Sequence, residues 1–277
     1  MLPQSNGTAI RTASRLGQHL DANGNSGGMH LEISDLKKPG YFWSPTTFLA
    51  RTRNGIVALN LRTNQYLGLS SADFSVLAKC VGGPPPLTVN QEQIVATSPD
   101  TDTKIMQSAI TEGVITTQPM SRQIVSTTID LGGTLISIGD EIVEKTPLRI
   151  VDVIAFLSCL FLSATAVRVL PLQQIVKIVY RRRRAATARG YRFNSTKASR
   201  VVYRFRAIRP YYFLAKDRCL VHALTLVNFM ALYDEYPAWV FGVGTDPWTA
   251  HSWVQQDNFL LDCNPEKVVN LEPILAV

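Results

Sequence analysis

Cysteine and histidine are rare in this chain, with four of each among 277 residues. None shows the CxxC or HxxxH spacing of a metal site, and Cys219-Leu220-Val221-His222 has no second pair of ligands at a matching interval. We therefore expect no zinc site. The scattered thiols form no disulfide framework, and no apolar core of the signal-peptide kind occurs between Met1 and Leu31. Both absences predict a cytoplasmic protein.

A glycine-rich phosphate loop ending in GKS or GKT is also absent, so the sequence predicts no directly bound cofactor. Long hydrophobic runs are limited to Val151–Val167, whose uncharged core from Val153 to Val167 falls short of the roughly 20 residues that a bilayer requires. This run predicts a helix that is buried or lies on a membrane surface, and Pro171 ends it.

Basic residues exceed acidic ones by 28 to 21, and many of them lie in residues 180–210. Such a block can bind nucleic acid, anionic lipid or an acidic peptide, and it can equally be an ordinary solvated helix face. Nucleic acid is disfavoured because no recognised binding motif accompanies the charge. The apolar helix pattern that leads into Arg181 leaves a weak contact with a membrane surface as a minor alternative.

Composition divides the chain into four parts. Residues 1–40 are rich in Gly, Asn, Ser and Thr and are predicted to be disordered. Residues 41–118 alternate like strands and end in helices, residues 119–144 form a linker or a strand-containing connector, and residues 145–277 form a second domain.

In the first domain, three short strands are predicted at residues 48–52, 56–61 and 65–69, with turns between them. Ser70 to Asp73 has the form of a capping box and predicts a helix start, and a second helix is predicted from Thr103 to Glu112.

The last quarter of the chain carries the candidate chemistry. Cys219 opens an apolar run of helical period, where the free N–H groups of a helix start favour a thiolate, and Asp217 is the predicted N-cap. His251 begins a strand that returns through a hairpin at Asp257-Asn258 to Asp262. A thiol at a helix start with an imidazole on a following strand is what a cysteine nucleophile and its histidine base require.

These segments resemble the transglutaminase-like cysteine peptidase of lasso-peptide biosynthesis, the B protein, over about residues 145–277. The motifs that carry the likeness are Cys219-Leu220, Val243-Gly244, Asp246-Pro247-Trp248, Ala250-His251-Ser252-Trp253-Val254 and Leu260-Leu261-Asp262. The resemblance implies an α+β protein whose papain/transglutaminase-like domain removes the leader from a ribosomal precursor peptide before a partner lasso cyclase closes the ring. It also implies that ATP serves the complete maturation system, through the cyclase or a site that the sequence does not reveal.

The resemblance assigns Cys219 as nucleophile, His251 as base and Asp262 as the residue that orients the imidazole, with one departure. The family pattern ends this strand in Asn-Asp, whereas this chain has Asp262-Cys263. A shift of one residue normally turns a strand side chain to the other face. Either a bulge returns Asp262 to the site, which we favour, or Asn264 or Cys263 substitutes weakly, or the enzyme is impaired.

Residues 41–118 resemble the small winged-helix-like element that binds leader peptides in such pathways, related to the chaperone of pyrroloquinoline quinone synthesis. The stretch from Asn60 to Leu67 carries this likeness. It implies that a leader adds as a strand to the sheet edge, with these side chains as the predicted contacts: Leu59, Leu61, Tyr66, Leu67 and Leu69. A purely structural meander is the alternative.

Other interpretations stay open at this point. Cys219 has the apolar surroundings of a buried core cysteine, and only its context favours a nucleophile. His222 is a packing residue or a partner of Cys219 on the same helix. The whole protein is alternatively an acyltransferase of the transglutaminase type, or a precursor-binding scaffold whose triad has decayed at position 262.

Overall fold

The computed structural model describes residues 40–81, 99–122, 124–129, 131, 133–138, 147–211 and 219–277. Nearly all of the segment predicted to be disordered, residues 1–40, and the predicted N-cap Asp217 lie outside the described residues. The chain divides into two units, residues 1–123 and 124–277.

In the first unit, the described residues form a small antiparallel sheet and two helices. Its elements in chain order are β1 (Phe42–Trp43), β2 (Thr47–Thr52), β3 (Gly55–Asn60), β4 (Gln65–Leu69), α1 (Ser71–Cys80), α2 (Pro99–Thr111) and β5 (Ile115–Thr116). Strands β2, β3 and β4 pair in that order, and β1 pairs separately with β5. The three predicted strands agree with β2, β3 and β4 to within one residue.

Local sequence signals explain these elements. The Ser70 hydroxyl accepts from the backbone N–H of Asp73, while the Asp73 carboxylate accepts from the backbone N–H of Ser70, so the predicted capping box starts α1. Gly113, at φ +69°, ends α2 in the left-handed region. A buried apolar cluster joins the sheet to both helices and includes Leu49, Ala58, Leu77 and Met106.

In the second unit, the residues that the structure describes form four α-helices and a mixed five-stranded sheet. Its elements are β6 (Ile136–Ile138), α3 (Ile150–Val169), α4 (Leu172–Ala188), α5 (Ser195–Ile208), α6 (Cys219–Ala231), β7 (Ala238–Thr245), β8 (Trp248–Gln256), β9 (Phe259–Leu261) and β10 (Glu272–Ala276). The strand order is β10-β7-β8-β9-β6, and all neighbours are antiparallel except β6 and β9. Helix α6 packs on β8, and α3 packs behind α6.

The sequence left a strand in residues 119–144 open and missed one helix. Strand β6 lies inside residues 119–144, the range predicted as a linker or strand-containing connector, and it pairs with β9 at the sheet edge. Helix α5 was not predicted, because its arginines mask a regular apolar stripe of Ala198, Val201, Val202, Phe205 and Ile208. That stripe is buried, and Asn194 caps the helix by accepting from the backbone N–H of Lys197.

Helix α3 is longer than the apolar core identified in the sequence. Among the described residues it is the one helix long and apolar enough to cross a membrane, with a hydropathy of 2.3 and 22% of the apolar window buried. Its inner face carries Asp152, Phe156, Cys159 and Ser163 at helical spacing, and all four are buried.

Candidate active site

A cavity of about 550 Å³ opens between α6, the end of α5 and the strands β8 and β9. The ionisable residues that line it are Arg206, Arg209, Cys219, His222, His251, Asp262, Cys263 and Lys267. The cavity therefore brings together all three residues predicted as catalytic.

Cys219 is the first residue of α6 and is partly buried. The described part of the helix begins there, and residues 212–218 before it lie outside the described residues. One turn on, His222, Ala223 and Leu226 line the same cavity, because residues three, four and seven positions apart share a helix face. The apolar run that continues to Ala231 buries the opposite side and fixes the direction of the helix axis.

His251 lies on β8, directly opposite Gly242 of β7. Its ring stacks on Trp253, two residues along the same strand, with the ring centroids 6.1 Å apart and the planes 14° apart. A Cβ on Gly242 would approach the Trp253 ring to 2.5 Å, so glycine at that position makes room for the indole that supports the imidazole. Burial lowers the pKa of His251 to about 4, and the charges of Lys267 and His222 act in the same direction.

Cys263 is the residue that contacts the imidazole. Its Sγ lies 3.8 Å from Nε2 of His251 and 3.7 Å from the carbonyl oxygen of Asn264. Burial raises the pKa of this thiol to about 11, so it is neutral near pH 7. Cys263 stands where the family pattern has its aspartate, and a weak thiol contact replaces a carboxylate there.

Asp262 reaches the cavity but binds other partners. Its Oδ1 accepts from Nε of Arg206 at 2.6 Å and from Nη1 of Arg209 at 2.7 Å, and its Oδ2 lies 3.0 Å from Nε2 of His222. Burial alone would raise the pKa of Asp262, but the hydrogen bond and charge of His222 and the charges and hydrogen bonds of the arginines hold it below its usual value. The contacts found for Asp262 thus hold α5 and α6 together and do not include the His251 ring, the contact that the sequence predicts.

The backbone at Asp262 explains how two successive residues face one cavity. Asp262 follows β9 with φ +56°, in the left-handed region that Asp tolerates better than most residues. This turn breaks the strand alternation that would send positions 262 and 263 to opposite faces. Asp262 and Cys263 therefore both line the cavity, and Cys263 takes the place beside His251 that the bulge hypothesis gives to Asp262.

Asn264, Cys159 and Cys80 have structural roles. The Asn264 side chain caps a short 3-10 turn by accepting from the backbone N–H of Glu266 at 2.9 Å. Burial raises the pKa of Cys159 to about 11 on the inner face of α3. Cys80 belongs to the apolar core of the first unit.

The four arginines Arg181–Arg184 differ in exposure because they lie on different faces of α4. Arg182 donates to the Asn228 side chain and Arg183 to the carbonyl oxygen of Tyr236, so both are structural. Arg181 and Arg184 are exposed. Half of this run therefore belongs to the packing of the domain, and the sequence alone could not separate the two halves.

The predicted leader-binding residues fall into two groups. The side chains of Leu59, Leu61 and Leu69 are buried, so they cannot touch an added peptide in this conformation. Tyr66 and Leu67 are partly exposed on β4, an outer strand of the three-stranded sheet.

No group of three or more His, Cys, Asp or Glu side chains able to hold a metal ion occurs within the described ranges. The prediction that the protein works without a metal therefore stays a prediction.

Residues 159–276 match the profile of the Transglutaminase-like superfamily, Transglut_core3. No curated protein and no solved structure matches the chain. The C-terminal half thus carries a transglutaminase-like core domain, which is compatible with cysteine peptidase or acyltransferase chemistry. The match includes Cys219, His251 and Asp262 and leaves the first unit outside it.

Proposed function

From a transglutaminase-like core as premise, we propose that this protein is a cysteine peptidase that binds and removes the leader of a lasso-peptide precursor before a partner cyclase closes the ring. The observation that carries the proposal is the placement of the Cys219 thiol, at the start of α6, and the His251 imidazole on one cavity. The substrate class rests on the resemblance of the sequence motifs to the lasso B proteins. We place the reaction in the cytoplasm.

The chemistry follows from the two side chains. His251 accepts the Cys219 proton, and the sulfur attacks the scissile carbonyl carbon to give a tetrahedral oxyanion. Backbone N–H groups at the start of α6 stabilise that charge. Collapse breaks the C–N bond while the imidazolium gives its proton to the leaving amine. Water then hydrolyses the thioester, which releases a free carboxylate and restores the thiol.

The assignment of the ring nitrogens follows from Cys263. Because Nε2 of His251 contacts the Cys263 thiol, Nδ1 is the nitrogen assigned to the Cys219 proton. The partly buried imidazole, with its pKa lowered to about 4, is neutral at pH 7 and can therefore act as a base, but its low pKa makes it a weak one. The neutral Cys263 thiol orients the ring without stabilising its positive charge as a carboxylate would.

The first unit provides the proposed leader-binding surface. The β2 edge of the three-stranded sheet is occupied in part, since Arg122 donates to the carbonyl oxygens of Thr47 and Ser44 at 3.0 Å each. The opposite outer strand, β4, carries the partly exposed Tyr66 and Leu67. We therefore assign the leader to the β4 edge, where main-chain hydrogen bonds add a strand and Tyr66 provides a side-chain contact.

Acyl transfer to an amine is the second candidate, because the matched superfamily also accommodates that outcome. It shares the thioester and differs only in the group that attacks it. Cleavage by water leaves a free acid at the leader end, whereas transfer leaves a new amide.

The test uses the whole chain and the precursor peptide encoded beside its gene. Purified protein is incubated with precursor, and the products are weighed by mass spectrometry. We expect a leader fragment with a free carboxylate, loss of the reaction in Cys219→Ala and after iodoacetamide treatment, and retention of it in the matched control Cys159→Ala. Cleavage by Cys219→Ala at the wild-type rate would refute the peptidase proposal, and amide products would replace it with acyl transfer.

A further inference from the structure

The outer face of α3 is an exposed apolar surface on a basic part of the molecule. Opposite the buried stripe, the helix presents a second stripe at the same helical spacing. Exposed side chains there include Ile150 at 81%, Phe161 at 71%, Val169 at 71% and Leu162 at 61% of their full area, together with Val151, Ile154 and Leu157. Apolar patches of this extent mark interaction sites.

Buried polar contacts hold the inner face of α3 to its own domain. The Asp152 carboxylate accepts from the hydroxyl of Tyr233 and pairs with Arg204, whose Nη1 lies 3.7 Å from Oδ1. Farther along, the Asn228 amide donates to the Ser163 hydroxyl at 3.0 Å. Moving α3 alone into a bilayer would strand these groups without partners, so the helix stays on the domain and offers one face only.

Charge indicates what that face meets. Residues 147–211 contain 14 Lys and Arg but a single acidic residue, Asp152, which is fully buried. Arg149 and Arg168 flank the apolar stripe at its two ends. On α4, Ile178, Arg181 and Arg184 are exposed, each one helical turn from the next. An apolar stripe bordered by cations, with no exposed carboxylate in this segment, is complementary to anionic lipid.

We propose that the outer face of α3, flanked by these basic residues, binds the surface of an anionic membrane. The apolar side chains enter the headgroup and acyl boundary, and the arginine and lysine heads remain with the lipid phosphates. The binding is interfacial, because the buried contacts of Asp152 and Ser163 keep the helix in the fold. It does not depend on the peptidase activity.

The experiment is sedimentation of the full chain with vesicles. Vesicles of phosphatidylcholine with about 30% phosphatidylglycerol are compared with pure phosphatidylcholine, at low and raised salt. We expect binding to the anionic vesicles that weakens with salt, and little binding to the neutral ones.

Two variants separate the apolar and electrostatic contributions. Leu157→Gln with Phe161→Gln should reduce partition to anionic vesicles about tenfold or more, since two apolar side chains that enter the lipid are lost. Arg181→Gln with Arg184→Gln should reduce it several-fold and flatten the salt dependence. The matched control is Leu232→Gln with Val269→Gln, which changes two side chains of similar exposure outside α3.

Three outcomes overturn the proposal. The first is that wild-type protein does not sediment with anionic vesicles. The second is that the control variant loses as much binding as the α3 variant. The third is that sedimentation and size-exclusion data show a dimer instead of lipid binding, and that the α3 variant abolishes this dimer. An unchanged far-UV circular dichroism spectrum and urea midpoint show that each variant is folded.

Discussion

The Cys263 thiol lies 3.8 Å from Nε2 of His251, at the position where the family pattern has a carboxylate. The neighbouring Asp262 carboxylate faces Arg206, Arg209 and His222 instead. The residue that contacts His251 and the residue that forms the ion pairs are thus adjacent in the chain. A substitution at position 263 therefore tests how the contact with His251 affects the rate of the proposed reaction.

We predict that Cys263→Asp raises the cleavage rate. A carboxylate beside Nε2 would fix the ring tautomer and stabilise the imidazolium. Burial and the charge of Asp262 disfavour a negative charge at this position, whereas the charges of Lys267 and Arg206 favour it. The expected gain in single-turnover rate at pH 7 is about tenfold or more, a modest share of what acid–base catalysis contributes. Cys263→Ala is the control, because it removes the thiol without adding charge. A folded Cys263→Asp protein no faster than wild type would show that position 263 does not orient His251.

Much of this fold follows from local sequence signals. The period-two apolar residues of β2, β3 and β4, the Ser70 cap and the apolar run after Cys219 each specify their element from nearby residues alone. Strand β6 is different, because three residues form a strand only when β9 provides the partner. No local pattern around residues 136–138 contains that information.

The site divides in the same manner. The motif context placed Cys219 and His251, and the structure finds both on one cavity. The partners of Asp262 were not predictable, because Arg206 and Arg209 lie more than 50 residues earlier in the chain. They belong to a basic block in which the many arginines obscure the apolar pattern of the helix. Positive φ at Asp262 is equally invisible in a sequence where any aspartate could adopt either conformation.

Asp262→Asn should destabilise the second unit. The carboxylate is fully buried and binds two arginines and His222, so its neutralisation leaves donors without a charged acceptor. We expect a loss of about 1–3 kcal/mol in the free energy of unfolding, reduced from the fully buried case because the arginines are partly exposed. The measurement is a urea titration followed by circular dichroism.

Asp257→Asn is the matched control for that change. Asp257 also has positive φ, at +52°, but it is exposed, so the same substitution should leave stability nearly unchanged. Equal effects at the two positions would contradict a stabilising role for the Asp262 cluster. Precursor cleavage by a folded Asp262→Ala protein at the wild-type rate would separately exclude Asp262 from catalysis.

The partly buried imidazole of His251 predicts how stability depends on pH. The pKa of His251 is about 4 in the folded protein, compared with 6.5 for an unperturbed histidine. Between these values the unfolded chain binds a proton that the folded one does not, so stability falls as the pH drops from about 6.5 toward 4. His251→Gln should remove this part of the pH dependence while Lys267, His222 and Cys263 remain around it. The check is the urea midpoint of both proteins at pH 7.5, 6 and 5, and parallel profiles would contradict the assignment.

Tyr66→Ala should weaken leader binding without affecting the fold of the first unit. Tyr66 is partly exposed on β4, the edge assigned to the leader, and aromatic side chains dominate the affinity of such contacts. Fluorescence anisotropy with a labelled leader peptide should show a dissociation constant about tenfold higher, equivalent to about 1.4 kcal/mol. Arg51→Ala is the control, since Arg51 is exposed on β2, the opposite outer strand, where Arg122 already occupies backbone carbonyls. If Arg51→Ala weakens leader binding more than Tyr66→Ala does, the leader binds at the β2 edge instead, because a bound peptide contacts the side chains of the strand with which it pairs.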